Sequence, residues 1–256
     1  MSARPKVQRA ALAAAVVLPA LLGGCSILNS DGQVDPALAT CPQSPIAADV
    51  RVDGSGSSGA SAIVAERMTV IQDVAHRTAL CGGRLHVEVF SSSSAASVVL
   101  YDDDVEVEGA TEQAKSRRVQ GVVDDIMKQI EQKYGPAVAS LPTDGSDITA
   151  QLRLASEFAA QLPGYQLDEY LLTDGYSNIG VNLESALTQQ QADDLAAGVS
   201  VPDLSGAWLT VAGLGRVDDN SSTSAQTEAL SEFYTTLCQR SNAASCTVVT
   251  DFAGRW

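Results

Sequence analysis

The fold is decided by the stretch Val50-Arg51-Val52-Asp53-Gly54-Ser55-Gly56-Ser57-Ser58-Gly59. It predicts a short strand that ends at Asp53 and leads into a glycine-rich turn, and residues 60–80 after the turn are predicted to be helical. The turn presents one carboxylate and two hydroxyls at alternate positions, Asp53, Ser55 and Ser57. Hard oxygen donors of this kind suit a small divalent cation such as Mg²⁺. The stretch therefore predicts part of a cation site at the end of a strand.

Strand patterns alternate with helix patterns over the rest of the chain. Further strands are predicted at 85–90, 97–101, 167–173, 208–213 and 246–251, and further helices at 111–134, 147–161, 187–197 and 223–240. Residues 102–108 are interpreted as an acidic connection, and Gly135-Pro136 is expected to stop the helix before it. Strands separated by helices predict an α/β fold, an open, mostly parallel, doubly wound sheet with helices on both faces.

Two carboxylates are predicted to lie at the same edge of this sheet. Asp53 ends the first strand and Asp174 follows the fourth. Ligands of such sheets bind beyond the carboxyl ends of the strands, where the strand order reverses. If the first and fourth strands are neighbours, the two carboxylates meet there.

Three short motifs stand at this predicted edge: Asp53-Gly54-Ser55-Gly56-Ser57, Gly145-Ser146-Asp147-Ile148-Thr149 and Leu171-Leu172-Thr173-Asp174-Gly175. With this order of elements the chain resembles, over roughly residues 47–252, the von Willebrand factor A domain. The metal-ion-dependent adhesion site of that family uses an Asp-x-Ser-x-Ser motif, a threonine from a second loop and an aspartate from a third. By position, the resemblance implies Asp53, Ser55, Ser57 and Asp174 as metal ligands.

The second loop departs from the family pattern. The family's threonine position falls on Ser146, which keeps the hydroxyl and lacks the methyl that restricts the rotamer. Thr149, three residues later, is the alternative donor, and Ser146 also fits the role of a helix-capping serine. The preferred fifth ligand is Ser146, because it directly follows Gly145 where the helix starts.

The resemblance implies a binding module and not an enzyme. The ion, Mg²⁺ or else Mn²⁺ or Ca²⁺, would be held by hydroxyls and carboxylates and would accept a carboxylate from a protein partner at an open coordination position. The sequence shows no nucleophile with an adjacent base. The alternative is a structural or assembly lipoprotein of the cell envelope that uses the fold without metal.

Gly54, Gly56 and Gly59 also match the glycine pattern of a dinucleotide-binding turn. Asp53 would then place a carboxylate beside a pyrophosphate. The acidic residue of the next strand, Glu88, lies 29 residues beyond Gly59, where about 20 is expected for a ribose contact. This interpretation is the weaker one.

The N-terminus has the layout of an export signal. Residues 1–24 combine a basic start with a short apolar run, and Leu22-Gly23-Gly24-Cys25 resembles the bacterial lipobox, in which the cysteine becomes the lipidated N-terminus. This predicts a signal at 1–24, a lipidated Cys25 with a flexible linker over 25–46, and a domain over 47–256 on the extracytoplasmic face of a membrane.

Charge excludes one class of partner. Removal of the signal leaves 13 basic against 31 acidic residues, a net charge of −18. Nucleic-acid binding is not expected, because the phosphate backbone attracts the opposite balance.

The four cysteines that remain besides Cys25 are Cys41, Cys81, Cys238 and Cys246. An even number in an exported chain predicts two disulfides, with three possible pairings. All four are predicted at the end of the sheet away from the ion, so they are interpreted as structural cross-links and not as metal ligands. The favoured pairs are Cys41–Cys81 and Cys238–Cys246. Cys81–Cys238 is the alternative, because the first and last helices are neighbours in the family that the chain resembles.

Overall fold

The computed structural model describes residues 41–92, 97–142, 145–218 and 221–252. These residues form one six-stranded sheet with five α-helices. The strands are β1 (Ile46–Asp53), β2 (Gly83–Phe90), β3 (Ser97–Val105), β4 (Gln166–Leu172), β5 (Trp208–Ala212) and β6 (Ser245–Val249). The helices are α1 (Ser61–Cys81), α2 (Glu112–Ser140), α3 (Ile148–Gln161), α4 (Gln189–Gly198) and α5 (Ser224–Arg240).

The sheet has the strand order β3-β2-β1-β4-β5-β6. β3 pairs with β2 in the antiparallel sense, and every other pair is parallel. This confirms the predicted fold class, an open and mostly parallel doubly wound α/β sheet. β1 and β4 are neighbours. After β1 the chain continues to β2 toward one edge of the sheet, and after β4 it continues to β5 toward the other edge, so the strand order reverses between β1 and β4. The carboxyl ends of β1 and β4 are therefore where a ligand is expected.

Helices cover both faces of the sheet. Apolar side chains of β1, β2 and β4 pack with α1 and α2 on one face, and a second core joins the other face to α3, α4 and α5. Successive side chains of a strand point to opposite faces. Thus Val50 and Val52 face α1 and α2, whereas the alternate positions of β1 carry Asp49, Arg51 and Asp53, which are all buried.

α2 continues through Gly135-Pro136 to Ser140, so the expected stop at that dipeptide is wrong. A proline inside a helix costs about 3 kcal/mol or more. The last turn brings Ala137 and, just beyond it, Leu141 into the core under the sheet, where they are 5% and 7% exposed. Burial of these side chains offsets the lost helical hydrogen bond, an effect that the local sequence does not reveal.

The acidic run Asp102-Asp103-Asp104 belongs to β3, which ends at Val105, and the predicted acidic connection there is wrong. Arg84 on β2 pairs across the strands with Asp102 at 2.9 Å and with Asp104 at 3.4 Å. Pairing with the Arg84 cation allows this acidic run to form a strand. Because β3 is an edge strand, its charges also oppose pairing with a strand of another chain.

Both predicted disulfides are present, as Cys41–Cys81 and Cys238–Cys246. They tie the segment before β1 to the end of α1, and the end of α5 to β6. β1 begins at Ile46, which is 1% exposed, so the last residues of the predicted linker belong to the folded domain. Cys25 and the predicted signal lie outside the described residues. No helix within the described ranges is both long and apolar enough to cross a membrane.

Candidate functional site: a carboxylate and hydroxyl cluster at the carboxyl ends of β1 and β4

The first turn of the site is held tightly against the sheet. Gly54 donates its backbone N–H to the carbonyl of Phe90 at 2.8 Å. A Cβ at Gly54 would lie 2.6 Å from Cγ1 of Val89, so only glycine fits this approach of the turn to β2. The backbone N–H of Ser55 then donates to Oδ1 of Asp53 at 2.9 Å. The turn thereby fixes the Asp53 carboxylate and directs Ser55 and Ser57 toward the same edge.

Asp174 reaches the same place from the end of β4. Its Oδ2 accepts a hydrogen bond from Oγ of Ser57 at 2.5 Å, and its Oδ1 accepts one from the backbone N–H of Tyr176 at 3.0 Å. Gly175 makes the turn after it with φ of 86°, a left-handed conformation that favours glycine. The Tyr234 hydroxyl, from α5, donates to the carbonyl of Gly175 at 2.9 Å and holds this turn in place.

The second loop contributes Ser146. Its Oγ donates to Oδ2 of Asp53 at 3.2 Å, and the residue is 3% exposed. Ser146 stands directly before the N-cap of α3, where Asp147 accepts from the backbone N–H of Ala150, so Ser146 itself is not the capping residue. The Thr149 hydroxyl lies beside Gly180, 3.2 Å from the place that a Cβ on that residue would take. Of the two hydroxyls considered for this loop, Ser146 is the one beside Asp53.

The structure thus collects all five predicted side chains at one edge of the sheet. Oγ of Ser55 lies 3.4 Å from Oγ of Ser57, and the backbone N–H of Ser55 joins this pair to Asp53, so the two carboxylates and three hydroxyls form one network. We call these five side chains the oxygen cluster. Its members are Asp53, Ser55, Ser57, Ser146 and Asp174.

Thr173 is a sixth oxygen-bearing side chain of the site, and its fourth hydroxyl, that the sequence did not single out. Its Oγ1 donates to Oδ2 of Asp53 at 2.7 Å and accepts from the backbone N–H of Gly175 at 3.0 Å. The residue is fully buried. Thr173 therefore links the Asp53 carboxylate to the turn that carries Asp174. Its position next to Asp174 in the third motif was the only available signal, because its contact depends on the pairing of β1 with β4.

Arg67 on α1 is a second residue that sequence reasoning missed. It is fully buried and donates from a guanidinium nitrogen to the backbone carbonyl of Asp53 at 2.6 Å. It lies four residues after Ile63 and four before Ile71, in the middle of the buried stripe of α1. A charged residue at the centre of an apolar stripe is unusual, and that is the signal that could have revealed it.

The oxygen cluster is electrostatically strained. Burial, and then the negative charge of Asp53, raise the pKa of Asp174 from 3.8 to about 6, although hydrogen bonds from Ser57 and Tyr176 oppose the shift. Two carboxylates that share one buried site disfavour each other's charge. A divalent cation would relieve this repulsion, and carboxylate and hydroxyl oxygens are the ligands that Mg²⁺ and Mn²⁺ accept. The donor set therefore fits such an ion.

The oxygen cluster reaches the surface on the side of Ser57, which is exposed, while Asp53 and Asp174 are fully buried. Beside Ser57 lies an open groove of about 420 Å³ that is walled by Tyr176, Glu184 and Val217 among others. In the parts of the chain that the structure describes, no three His, Cys, Asp or Glu side chains come together as a metal site. An ion at this edge would depend on hydroxyls in addition to its two carboxylates.

Comparisons with known proteins gave distant likenesses of structure only. No family model matches the sequence, and no curated protein matches it. Among solved structures, the manganese-loaded TRAP protein of Plasmodium vivax matches with 17% identity and a TM-score of 0.42 over 74% of this chain and 63% of that one. Proximal thread matrix protein 1 from the mussel byssus matches with 17% identity and a TM-score of 0.40 over 82% of this chain and 44% of that one. The case for a cation site therefore depends on this chain's own residues.

Proposed function

We propose that this protein is a binding module of the von Willebrand factor A type that holds a divalent cation in the oxygen cluster. The observation that carries the proposal is the meeting of Asp53 and Asp174 at the ends of β1 and β4, more than 100 residues apart in sequence. Ser57 donates to Asp174 and lies 3.4 Å from Oγ of Ser55, whose backbone N–H donates to Asp53. In this proposal Asp53, Ser55, Ser57, Ser146 and Asp174 hold Mg²⁺, or Mn²⁺ or Ca²⁺. Thr173 and Arg67 position Asp53.

The charges of the site favour an acidic partner. Asp53 and Asp174 together neutralise a dication. The buried guanidinium of Arg67 donates to the backbone carbonyl of Asp53, and its charge is the smallest of the influences on the pKa of Asp174, which it lowers. An occupied site would therefore carry a small positive excess. Since the mature chain is strongly acidic, this local excess is what would allow a partner's carboxylate to approach. When bound, the ion would supply an open coordination position for that carboxylate.

Cation binding is tested by calorimetric titration of Mn²⁺ into chelator-treated protein. We expect Asp53→Asn to abolish binding, because the central carboxylate of the network is lost. Ser146→Ala should weaken binding, whereas the matched control Thr149→Ala should leave it unchanged, since the Thr149 hydroxyl lies against Gly180. Equal binding by wild type and Asp53→Asn would refute the cation site.

Partner binding is tested by capture on the immobilised protein from an extracytoplasmic fraction. A partner that binds through the ion should be lost in chelator and on the Asp53→Asn variant, and it should return when Mn²⁺ replaces the chelator. A partner that is retained under both conditions would contradict recognition through the cation.

The proposed location is the extracytoplasmic face of a membrane, through a lipid on Cys25. The support is the lipobox-like Leu22-Gly23-Gly24-Cys25 after a basic and apolar start. The full chain should incorporate labelled fatty acid and partition into detergent, and the Cys25→Ser variant should do neither. Labelling that persists in the variant would exclude this anchor.

One observation favours a second candidate, a structural envelope lipoprotein that uses the fold without metal. Ser57, Ser146 and Thr173 already satisfy the two carboxylates by hydrogen bonds within the protein. This candidate predicts no change in melting temperature when Mn²⁺ is added. Specific binding to the native state must raise that temperature by mass action, so the same measurement separates the two functions.

A further inference from the structure

A second group of buried charges lies on the sheet face beneath α3, within the lengths of β1, β2 and β4. We call it the buried charge cluster, and its members are Asp49, Arg51, His86, Glu88 and Glu169. Each is at most 8% exposed. They occupy facing positions on three adjacent strands, since Asp49 of β1 is in register with His86 of β2 and with Glu169 of β4, and Arg51 with Glu88.

The contacts within this cluster are direct. Nδ1 of His86 lies 2.7 Å from Oδ1 of Asp49, and Arg51 donates from Nη2 to Oδ2 of Asp49 at 2.7 Å. Arg51 also forms an ion pair with Glu88 through Nη1, and its Nε lies 3.6 Å from Oε1 of Glu169. A charged network at the centre of a sheet is unusual, because buried charges must be both paired and hydrogen-bonded to be tolerated.

α3 covers the cluster and connects it to the oxygen cluster. Arg51 donates to Oε1 of Gln151 at 3.3 Å, and Nε2 of Gln151 donates to the carbonyl of Asp147 at 3.1 Å. Asp147 is the N-cap of α3 and directly follows Ser146. A continuous chain of contacts therefore runs from His86 through Asp49, Arg51 and Gln151 to the loop that holds Ser146 beside Asp53.

Farther along α3, Phe158 stacks on the His86 ring with centroids 5.1 Å apart. Next to this pair is an open groove of about 410 Å³ between α3 and the β2–β3 edge, and His86 lies in its wall. The groove gives water and protons access to His86 although the ring is 8% exposed. Arg51 and Glu88 share this wall, and His86 is the most exposed member of the cluster, so it is placed to exchange a proton with solvent.

A protonated His86 adds a positive charge to a site where carboxylates outnumber guanidinium groups. The groups that face it are Asp49 and Arg51 from β1, Glu88 and Arg84 from β2, Asp102 from β3, Glu169 from β4 and Glu157 from α3. Arg84 pairs with Asp102. Burial, and then the charge of Asp49, raise the pKa of Glu169 well above its ordinary value. Arg51 and the protonated His86 ring face the carboxylates of Asp49 and Glu88.

Loss of the His86 proton leaves this cluster with an uncompensated negative charge under α3. Burial alone would lower the pKa of His86, but the hydrogen bond with Asp49 and the charges of Asp49 and Glu88 outweigh it and raise the pKa above 6.5. The stability that His86 contributes is therefore fully present below pH 6.5 and is lost as the pH rises through the folded value. Water that enters beneath α3 solvates the excess charge, so separation of α3 from the sheet lowers the desolvation cost.

We propose that protonated His86 holds α3 and the Ser146 loop against the sheet, and that deprotonation of His86 loosens α3 and weakens cation binding at the oxygen cluster. The second half of the proposal rests on the proposed function, and the first half does not. His86 and Gln151 act here as positioning residues, since neither contacts the oxygen cluster.

The decisive measurement is amide hydrogen exchange of the full chain in chelator, from pH 6 to 8.5, read as the protection factor of residues 148–152. The sequence contains only two histidines, so NMR of the labelled rings gives the pKa of His86 directly. We expect protection to fall about tenfold for each pH unit between 6.5 and that measured pKa. Protection that stays constant while His86 titrates would overturn the proposal.

Three variants separate the coupling from general destabilisation. His76→Gln, on α1 and outside the cluster, should keep the pH dependence, and His86→Gln should remove it. Gln151→Met should leave the His86 titration in place and abolish the response of α3, because the link from Arg51 to Asp147 is lost. Loss of the pH dependence in His76→Gln would count against the proposal.

Titration of Mn²⁺ over the same pH range distinguishes failure of the proposal from failure of the proposed function. Weaker Mn²⁺ binding above the His86 pKa, absent in His86→Gln, supports both. Mn²⁺ binding with α3 protection that does not follow His86 overturns the positioning role and leaves the cation site standing. No Mn²⁺ binding at any pH, with α3 protection that follows His86, refutes the cation site and supports the role of His86 in holding α3.

Discussion

Replacement of Asp174 by Asn should stabilise the cation-free protein and at the same time remove its response to Mn²⁺. The reason is the repulsion within the oxygen cluster, where the pKa of Asp174 is raised to about 6 by burial and by Asp53. Asn keeps the shape of the side chain and the hydrogen bond from the Tyr176 N–H, and it removes the charge.

The size of the effect follows from the pKa. The difference between 3.8 and about 6, at about 1.4 kcal/mol for each pH unit, means that an ionised Asp174 costs the fold about 3 kcal/mol. Reversal of the hydrogen bond with Ser57 offsets about 1 kcal/mol of this. The expected net gain of about 2 kcal/mol corresponds to a rise in melting temperature of roughly 4–8 °C for a domain of this size.

The pH dependence has a definite sign. Because the folded pKa of Asp174 lies above its unfolded value, the group destabilises the wild-type fold increasingly as the pH rises from 3.8 through about 6. The difference in stability between Asp174→Asn and wild type should therefore be full at pH 7.5 and vanish near pH 4. Saturating Mn²⁺ at 100 times its dissociation constant should stabilise the wild type by about 2.7 kcal/mol and the variant not at all.

The assay is thermal unfolding followed by circular dichroism, in chelator and in Mn²⁺, at pH values from 4 to 7.5. The matched control is Asp168→Asn, because the pKa of Asp168 is also raised to about 6 by burial, but its carboxylate is paired with Arg77 far from the oxygen cluster. This control should lose stability, because Asn leaves the largely buried Arg77 cation without its charged partner, and it should keep the Mn²⁺ response. A cation-free Asp174→Asn protein that is less stable than wild type at pH 7.5 would contradict the repulsion between Asp174 and Asp53. Equal stabilisation of the variant by Mn²⁺ would contradict Asp174 as a ligand.

Three further predictions concern the supports of the site and the fold. Thr173→Val should lower the free energy of unfolding by about 1–3 kcal/mol and weaken Mn²⁺ binding in calorimetry, with Thr173→Ser as the control that retains both. Gly175→Ala should destabilise the protein in urea unfolding, since φ is 86° and the new Cβ would lie 2.6 Å from a leucine methyl. The control Gly121→Ala lies in open space on α2 and should stabilise the protein by about 0.5–1 kcal/mol. Loss of the first disulfide in Cys81→Ser should cost about 4 kcal/mol and loss of the second in Cys238→Ser about 2.5 kcal/mol, because the closed loops differ in length; equal losses would contradict the loop-entropy argument.

Local sequence determined the identity of most elements and the position of the oxygen cluster along the chain. The alternation of β2, the apolar stripe of α1 and the glycine turn after Asp53 each depend on residues that are close in sequence. The three motifs stand at the ends of predicted elements. Because parallel strands point their carboxyl ends to one edge of the sheet, the motifs are expected to converge there. The ends at which the cysteines stand favoured the two disulfide pairs that are present, and they left Cys81–Cys238 open.

Only the tertiary structure decided the contacts that join distant segments. The pairing of β1 with β4 brings Thr173 to Asp53, and the choice of Ser146 over Thr149 depends on how α3 meets the sheet. The continuation of α2 through Pro136 likewise depends on apolar burial in the assembled core.

The buried charge cluster is the clearest example of contacts that local sequence does not predict. In the sequence, Asp49, Arg51, His86 and Glu88 are polar positions of two alternating strands, a pattern that ordinarily indicates a solvent-exposed face. Their burial depends on α3, which lies more than 50 residues further along the chain and covers this face. The alternation along each strand shows which residues share a face of the sheet. Whether that face meets water or a helix was decided by the packing of distant elements, because a strand's own side-chain pattern carries no information about what lies on top of it.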